Sequence, residues 1–329
     1  MITDQYGRRF EKLRVSLIND CNFSCVYCVG EETGIGGKKF IGSLSPEFSV
    51  GKGSERLRTD DFVQLIAAMH SILNLKSIRL TGGEPLLYGE LIPLIRQIKV
   101  LGIDDIRMTT NAFYLKGKVN DLIAAGLQAI NISVDAIDPV IFARMSRNNH
   151  TERVFEGIDE AVKSGIEIKL NAVVLRNQND SQIIPLLEYS AERNIPIRYL
   201  ELMKMGPIFN QQKDLFYPES EILDTIRIKY DIQELPRKNG ATSRYWETSS
   251  GAKFGIIANE STPFCHDCNR LRMDSRGYFY GCLSNANGIR LTEFINDRPQ
   301  LNGKLEELLA MKQKVKFQGS ILSMRNIGG

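Results

Sequence analysis

The chain has 329 residues, 43% of them hydrophobic and 25% charged, with a formal net charge of +3. That composition excludes a disordered or collagen-like chain, and the small basic excess suits an anionic small substrate but is too weak to argue for a nucleic-acid or membrane surface. No window approaches 18 consecutive apolar residues and the start, MITDQYGRRFEK, lacks the apolar core of a secretory signal, so no membrane partner and a cytoplasmic location are expected.

Strand-like runs lie at residues 13–18 (LRVSLI), 77–81 (SIRLT), 105–110 (DIRMTT), 129–134 (AINISV), 167–175 (EIKLNAVVL) and 197–202 (IRYLEL). Between them, residues 59–75, 91–101, 118–125, 154–163 and 181–192 carry apolar side chains at helical spacing. Strands alternating with helices predict an α/β fold with right-handed crossovers and a parallel sheet. No G-x-G-x-x-G follows the first strand, so an incomplete (β/α)6 TIM-like barrel is favoured over a doubly wound sheet. Residues 29–55 are rich in Gly, Ser and Lys without a period and read as a loop or lid. From about residue 230 the pattern changes to short strands and turns. The expected division is a barrel over 1–228 and a cysteine-bearing C-terminal domain over 229–329.

Polar residues gather at the strand ends. Cysteines follow the first strand, Thr81-Gly82-Gly83-Glu84-Pro85 the second, and Thr110-Asn111 the third. Ser133 and Asp135 close the fourth, Lys169 and Asn171 sit on the fifth, and Arg198 and Glu201 on the sixth. In a barrel, strand C-termini meet on the face where the active site is built.

All six cysteines fall into two triplets. Cys21, Cys25 and Cys28 form C-x3-C-x2-C, and Cys265, Cys268 and Cys282 form C-x2-C-x13-C. Structural zinc wants four ligands. Three thiolates on a four-iron cluster leave one iron open to chemistry. For the second triplet a zinc knuckle completed by His266 or an outside ligand stands as the alternative. Alternation along the following Asn269-Arg270-Leu271-Arg272 puts Arg270 and Arg272 on one face, where guanidinium forks suit phosphates.

C-x3-C-x2-C with aromatic Tyr27 before the third cysteine, followed by GGEP after the next strand, resembles the radical S-adenosylmethionine superfamily. With Asp4-x-x-Gly7-Arg8, Leu13-Arg14-x-Ser16, CNRLR and the terminal Ile327-Gly328-Gly329, the chain is similar to the GTP 3′,8-cyclase family of molybdenum cofactor biosynthesis over nearly its whole length. The resemblance implies two [4Fe–4S] clusters, on Cys21, Cys25 and Cys28 and on Cys265, Cys268 and Cys282. It implies that Tyr27, Gly82, Gly83, Glu84, Thr110, Ser133 and Met203 surround S-adenosylmethionine. Arg14, Lys169, Arg198, Arg270 and Arg272 are the implied GTP-contacting residues, and Arg14, Arg270, Arg272, Gly328 and Gly329 the catalytic ones, with the tail reaching into the barrel.

The implied lyase reaction converts GTP to 3′,8-cyclo-7,8-dihydro-GTP. A 5′-deoxyadenosyl radical takes the ribose 3′ hydrogen, and the carbon radical adds to guanine C8. Implied partners are an electron donor such as flavodoxin or ferredoxin, a downstream cyclic pyranopterin monophosphate synthase, and a second copy in a homodimer. The chain departs from the family at three places. Val29-Gly30 stands where Met-Pro is usual, Asp20 where a basic residue is usual, and Leu86-Leu87-Tyr88-Gly89-Glu90 where arginines follow GGEP. Lys38, Lys39 and Lys52 are candidate replacements for those arginines. The alternatives are a related radical enzyme acting on another nucleotide or a peptide, and a zinc protein binding RNA or a partner.

Overall fold

The computed structural model describes residues 2–29, 56–210 and 212–327. The segment read as a lid therefore lies, apart from Val29, outside the described residues, as do Gly328 and Gly329. The strands are β1 (Lys12–Ser16), β2 (Ser77–Thr81), β3 (Asp105–Thr110), β4 (Leu127–Ser133), β5 (Glu167–Val174), β6 (Ile197–Glu201), β7 (Ile232–Leu235), β8 (Arg244–Thr248), β9 (Lys253–Ile257), β10 (Arg270–Met273), β11 (Tyr278–Tyr280) and β12 (Ile289–Arg290). The helices are α1 (Val26–Val29), α2 (Thr59–Leu73), α3 (Leu91–Val100), α4 (Val119–Ala125), α5 (Pro139–Ser146), α6 (Thr151–Ser164), α7 (Ile183–Glu192), α8 (Gln212–Leu215), α9 (Glu219–Arg227), α10 (Arg298–Ala310) and α11 (Met324–Ile327). None is long and apolar enough to cross a membrane among the described residues.

All strands join one sheet, in the order β12-β11-β10-β1-β2-β3-β4-β5-β6-β9-β8-β7. The six expected strands and the helices between them are present. The sheet, however, does not end with them. β10 adds parallel to β1 and β9 adds parallel to β6, so the C-terminal segment extends both edges of the barrel wall. Sequence reading also missed α5, α9 and the 13-residue α10, which stands where only short strands and turns were expected.

Strand pleating sorts the two faces of the wall. Leu13, Val15, Ile78, Leu80, Ile106, Met108, Ile168 and Leu170 point outward and are buried in one core with the helices. From α6, Val154, Ile158 and Ala161 join it. Each fully buried aliphatic side chain contributes about 1.5–3 kcal/mol. The alternate residues, facing inward, are mostly polar and only partly buried, as in the pattern of β5 (EIKLNAVV). The inside of the wall is thus available to a ligand.

Candidate active site

The first triplet follows β1. Cys25 immediately precedes α1, whose first turn carries Cys28, and the amides of Cys28 and Val29 donate to the Cys25 carbonyl at 2.9 and 3.1 Å. The Gly82–Pro85 segment holds this loop from below. Gly83 N donates to Ile18 O at 2.6 Å and Glu84 N to Asp20 O at 2.9 Å. Gly82 has φ +148°, and a Cβ there would lie 2.5 Å from Ile18 O; one on Gly83 would press closer still on Asp20 O. The close approach these glycines allow is to the cysteine-bearing backbone.

Glu84 is buried and fully engaged. Its Oε1 accepts from Thr110 Oγ1 (2.6 Å) and Leu86 N (3.0 Å), and its Oε2 from Asn111 N (2.8 Å). It therefore ties the end of β2 to the end of β3, with burial pushing its pKa up to about 7 against the pull of those donors. Tyr88, in the stretch after GGEP, packs its ring against Phe62 on α2 and bonds Thr59 Oγ1 at 2.7 Å. That side chain stabilises a helix contact.

Beside Cys25 a cavity is lined by Tyr27, Asn111, Ser133, Asp135 and Met145 among others. Tyr27 donates its hydroxyl to Asp135 Oδ2 at 2.8 Å, while Val173 N donates to Oδ1 at 2.8 Å. Burial pushes Asp135 up to about 6. Burial also pushes the Cys25 thiol well up, and Asp135 and the other two thiols add to it. Met203 does not line this cavity; it packs against the apolar cluster of Met205, Phe317, Leu322 and Ile327.

The inner wall carries a ladder of cations. Arg272, Arg14, Arg79 and Arg107 are cross-strand partners in register on β10, β1, β2 and β3. Lys12 and Arg270 pair one step along the same strands. Arg198 on β6 completes the set, with its Nε 2.9 Å from Asn171 Oδ1. Asp105 pairs with Arg107, and Glu167 with both Arg107 and Lys169. Arg79 and Arg272 each retain a buried Nη1 without a hydrogen-bond partner. Burial, then Arg198 and Arg107, lower Arg79 to about 9; burial, then Arg270, lower Arg272 to about 10. Arg14 is lowered well below its ordinary value by burial, Arg272 and Arg79. Like charges in register on adjacent strands repel, so this wall favours an anion between them.

Sequence reading named Arg14, Lys169, Arg198, Arg270 and Arg272 but missed Arg79, Arg107 and Lys12. Their alternation on β2, β3 and β1 was the available signal. Glu201, expected at the face, turns outward and accepts from the amides of Glu219, Glu260 and Ser261.

The second triplet sits at the far end of this ladder. Cys265 opens a 3-10 turn, Cys268 precedes β10, and Cys282 follows β11. Arg8, ion-paired with Asp4 at 2.6 Å, donates to the carbonyls of Cys265 and Gln313. Burial pushes the Cys265 thiol up to about 11. Burial also opposes ionisation of Cys268, but Arg270 and Lys312 outweigh it and bring that thiol down to about 6. The His266 side chain is 65% exposed and lies nearest Asp267, so it does not complete a zinc knuckle. Among the described residues no three His, Cys, Asp or Glu side chains are arranged for a single metal ion. Thiolates that each bind a different iron of a cube stand further apart than ligands of one ion. Three cysteines per site, with no fourth donor among the described residues, therefore fit cubane clusters better than zinc.

The C-terminal segment spans both regions. Gly206 N donates to Ser320 O at 2.9 Å, and Ser323 Oγ donates to Cys28 O at 3.2 Å. Ile327 is buried in the cluster that contains Tyr280 of β11.

Two cysteine triplets joined by a cationic inner wall define a radical S-adenosylmethionine protein. Residues 15–190 match the radical SAM superfamily model, and residues 195–318 match the model for Molybdenum Cofactor Synthesis C. The fold resembles Streptococcus suis SuiB bound to S-adenosylmethionine, with a TM-score of 0.58 and 14% identity over 91% of this chain and 68% of that one. A GTP 3′,8-cyclase of Staphylococcus carnosus is 37% identical over 93% of this chain and 89% of its own length. One from Nautilia profundicola is 34% identical over 99% and 98%. The chain belongs to the GTP 3′,8-cyclase family, whose members use S-adenosylmethionine and iron–sulfur clusters.

Proposed function

We propose that this protein cyclises GTP to 3′,8-cyclo-7,8-dihydro-GTP at the start of molybdenum cofactor biosynthesis. The observation that carries the reading is the in-register ladder Arg272, Arg14, Arg79 and Arg107 between two cysteine triplets, in which Arg79 and Arg272 each keep a buried Nη1 without a hydrogen-bond partner. In this reading Cys21, Cys25 and Cys28 hold one [4Fe–4S] cluster, and Cys265, Cys268 and Cys282 hold the other. Bound there, the clusters and S-adenosylmethionine supply electrons and radical chemistry.

The chain's own residues bind, orient and shield. Tyr27, Ser133 and Asp135 border the space for the methionine end of S-adenosylmethionine, with Asp135 offering charge to its ammonium. Gly82, Gly83, Glu84 and Thr110 brace the first loop, and Met203 supports the tail. The ladder, with Lys169, Arg198 and Arg270, takes the triphosphate, because multiple guanidinium forks favour phosphate oxygens. Gly328 and Gly329 keep the catalytic role that the family resemblance implies for them. A barrel over 1–228 with a cluster domain from 229, a cytoplasmic location, a homodimer, a flavodoxin- or ferredoxin-type donor and a synthase that takes the product complete the proposal.

The test is an anaerobic reaction of reconstituted protein with S-adenosylmethionine, a strong reductant and GTP, read by mass spectrometry. A cyclised GTP isomer formed together with 5′-deoxyadenosine supports the reading. Deoxyadenosine formed equally with and without GTP would move the substrate to another nucleotide or a peptide.

A further inference from the structure

Lys312 lies just beyond α10 and is 4% exposed. Its ammonium donates to Arg270 O at 2.8 Å and Gly281 O at 2.7 Å, and it lies 3.5 Å from Cys268 Sγ. Three N–H bonds thus meet three acceptors on the β10–β11 hairpin. Two of these flank cluster ligands: Arg270 stands two residues after Cys268, and Gly281 one before Cys282. Leu305, Leu308 and Leu309 bury α10 in the main core, and the helix end comes so close to Gly281 that a Cβ there would strike Leu308 O. The Phe10 ring lies 4.8 Å from the ammonium.

No carboxylate pairs with Lys312 among the described residues; the groups that favour its charge are the thiolates of Cys268 and Cys282. A buried cation without a counterion is costly. The counterion this site offers is a thiolate-ligated cluster. Hydrogen bonds and positive charge at cluster sulfurs stabilise the reduced state.

We propose that Lys312 is the positioning residue of the second cluster, holding the Cys268 and Cys282 strands at cluster spacing and raising the cluster's reduction potential through the Cys268 sulfur. The inference rests on the two-cluster reading above.

The experiment uses the full chain with Cys21, Cys25 and Cys28 replaced by Ala, so that only the second site binds iron. Iron and sulfide are counted, and the midpoint is read by potentiometric electron paramagnetic resonance. Lys312→Gln keeps donors but loses the charge; it should assemble the cluster and shift the midpoint to more negative values. Lys312→Met loses both and should lose most of the iron while circular dichroism stays native. A folded Lys312→Gln that binds no iron would overturn the spacing role, because the donors would be present and the cluster absent. An iron-replete Lys312→Gln or Lys312→Met with the parent midpoint overturns the proposal. An iron-free parent would instead overturn the two-cluster reading, a distinguishable failure.

Discussion

The two cysteine triplets are built on opposite principles. The first is braced by backbone and has one carboxylate beside it: Gly83 and Glu84 bond the loop from Ile18 to Asp20, and Asp135 lies beside Cys25. The second is braced by cations, with Arg8 on the Cys265 carbonyl and Lys312 and Arg270 beside Cys268. Hence burial and Asp135 drive the Cys25 thiol up, whereas Arg270 and Lys312 overcome burial and drive Cys268 down to about 6. In the proposed reading the same donor set serves two ligands of opposite charge. S-adenosylmethionine carries an ammonium and a sulfonium, which suit the carboxylate side. A nucleoside triphosphate suits the cationic side and the ladder that continues from it.

The comparison breaks most completely at Gly83. Gly83→Ala drives a Cβ into the Asp20 backbone, so iron at the first site should be lost while iron at the second stays, as metal analysis would read. Arg79→Ala should leave both clusters loaded and lower kcat/KM for GTP by about a hundredfold, within the 2–5 kcal/mol typical of a buried charge contact. Asp135→Asn sharpens the contrast from the other side. It should weaken S-adenosylmethionine about tenfold, the worth of one charged hydrogen bond, and leave GTP affinity unchanged by equilibrium dialysis.

A further effect concerns pH. Glu84 is raised from 4.5 to about 7 in the folded chain, so the native state holds its proton longer than the unfolded state does. Its contribution to stability is fully present below pH 4.5 and lost as pH rises through 7. Between pH 5.5 and 8, wild type should therefore lose about 2 kcal/mol relative to Glu84→Gln in denaturant unfolding.

Much of this was legible in the sequence because periodicity and spacing are local. The strand of residues 105–110 and the helix ending at Glu192 stand where the pattern put them. The missed α5 had a readable signal in Asp138-Pro139, since Asp138 accepts from Val140 N and Ile141 N as an N-cap. Asp297 marks the start of α10 in the same way by accepting from Gln300 N. What spacing alone could not supply was register. That Arg79 and Arg107 face Arg14 depends on pairings between distant strands. That the glycines of GGEP press on the cysteine loop depends on how the ends of β1 and β2 meet. The addition of β9 and β10 at opposite edges is likewise a long-range outcome, invisible to a reading that took the C-terminal segment by itself.

The most direct test of the account is the affinity of the anaerobic two-cluster protein for GTP, GDP and guanosine at low and high salt. The account predicts weaker binding with each phosphate removed and a GTP affinity that falls as salt is added. Equal, salt-insensitive binding of GTP and guanosine would contradict it.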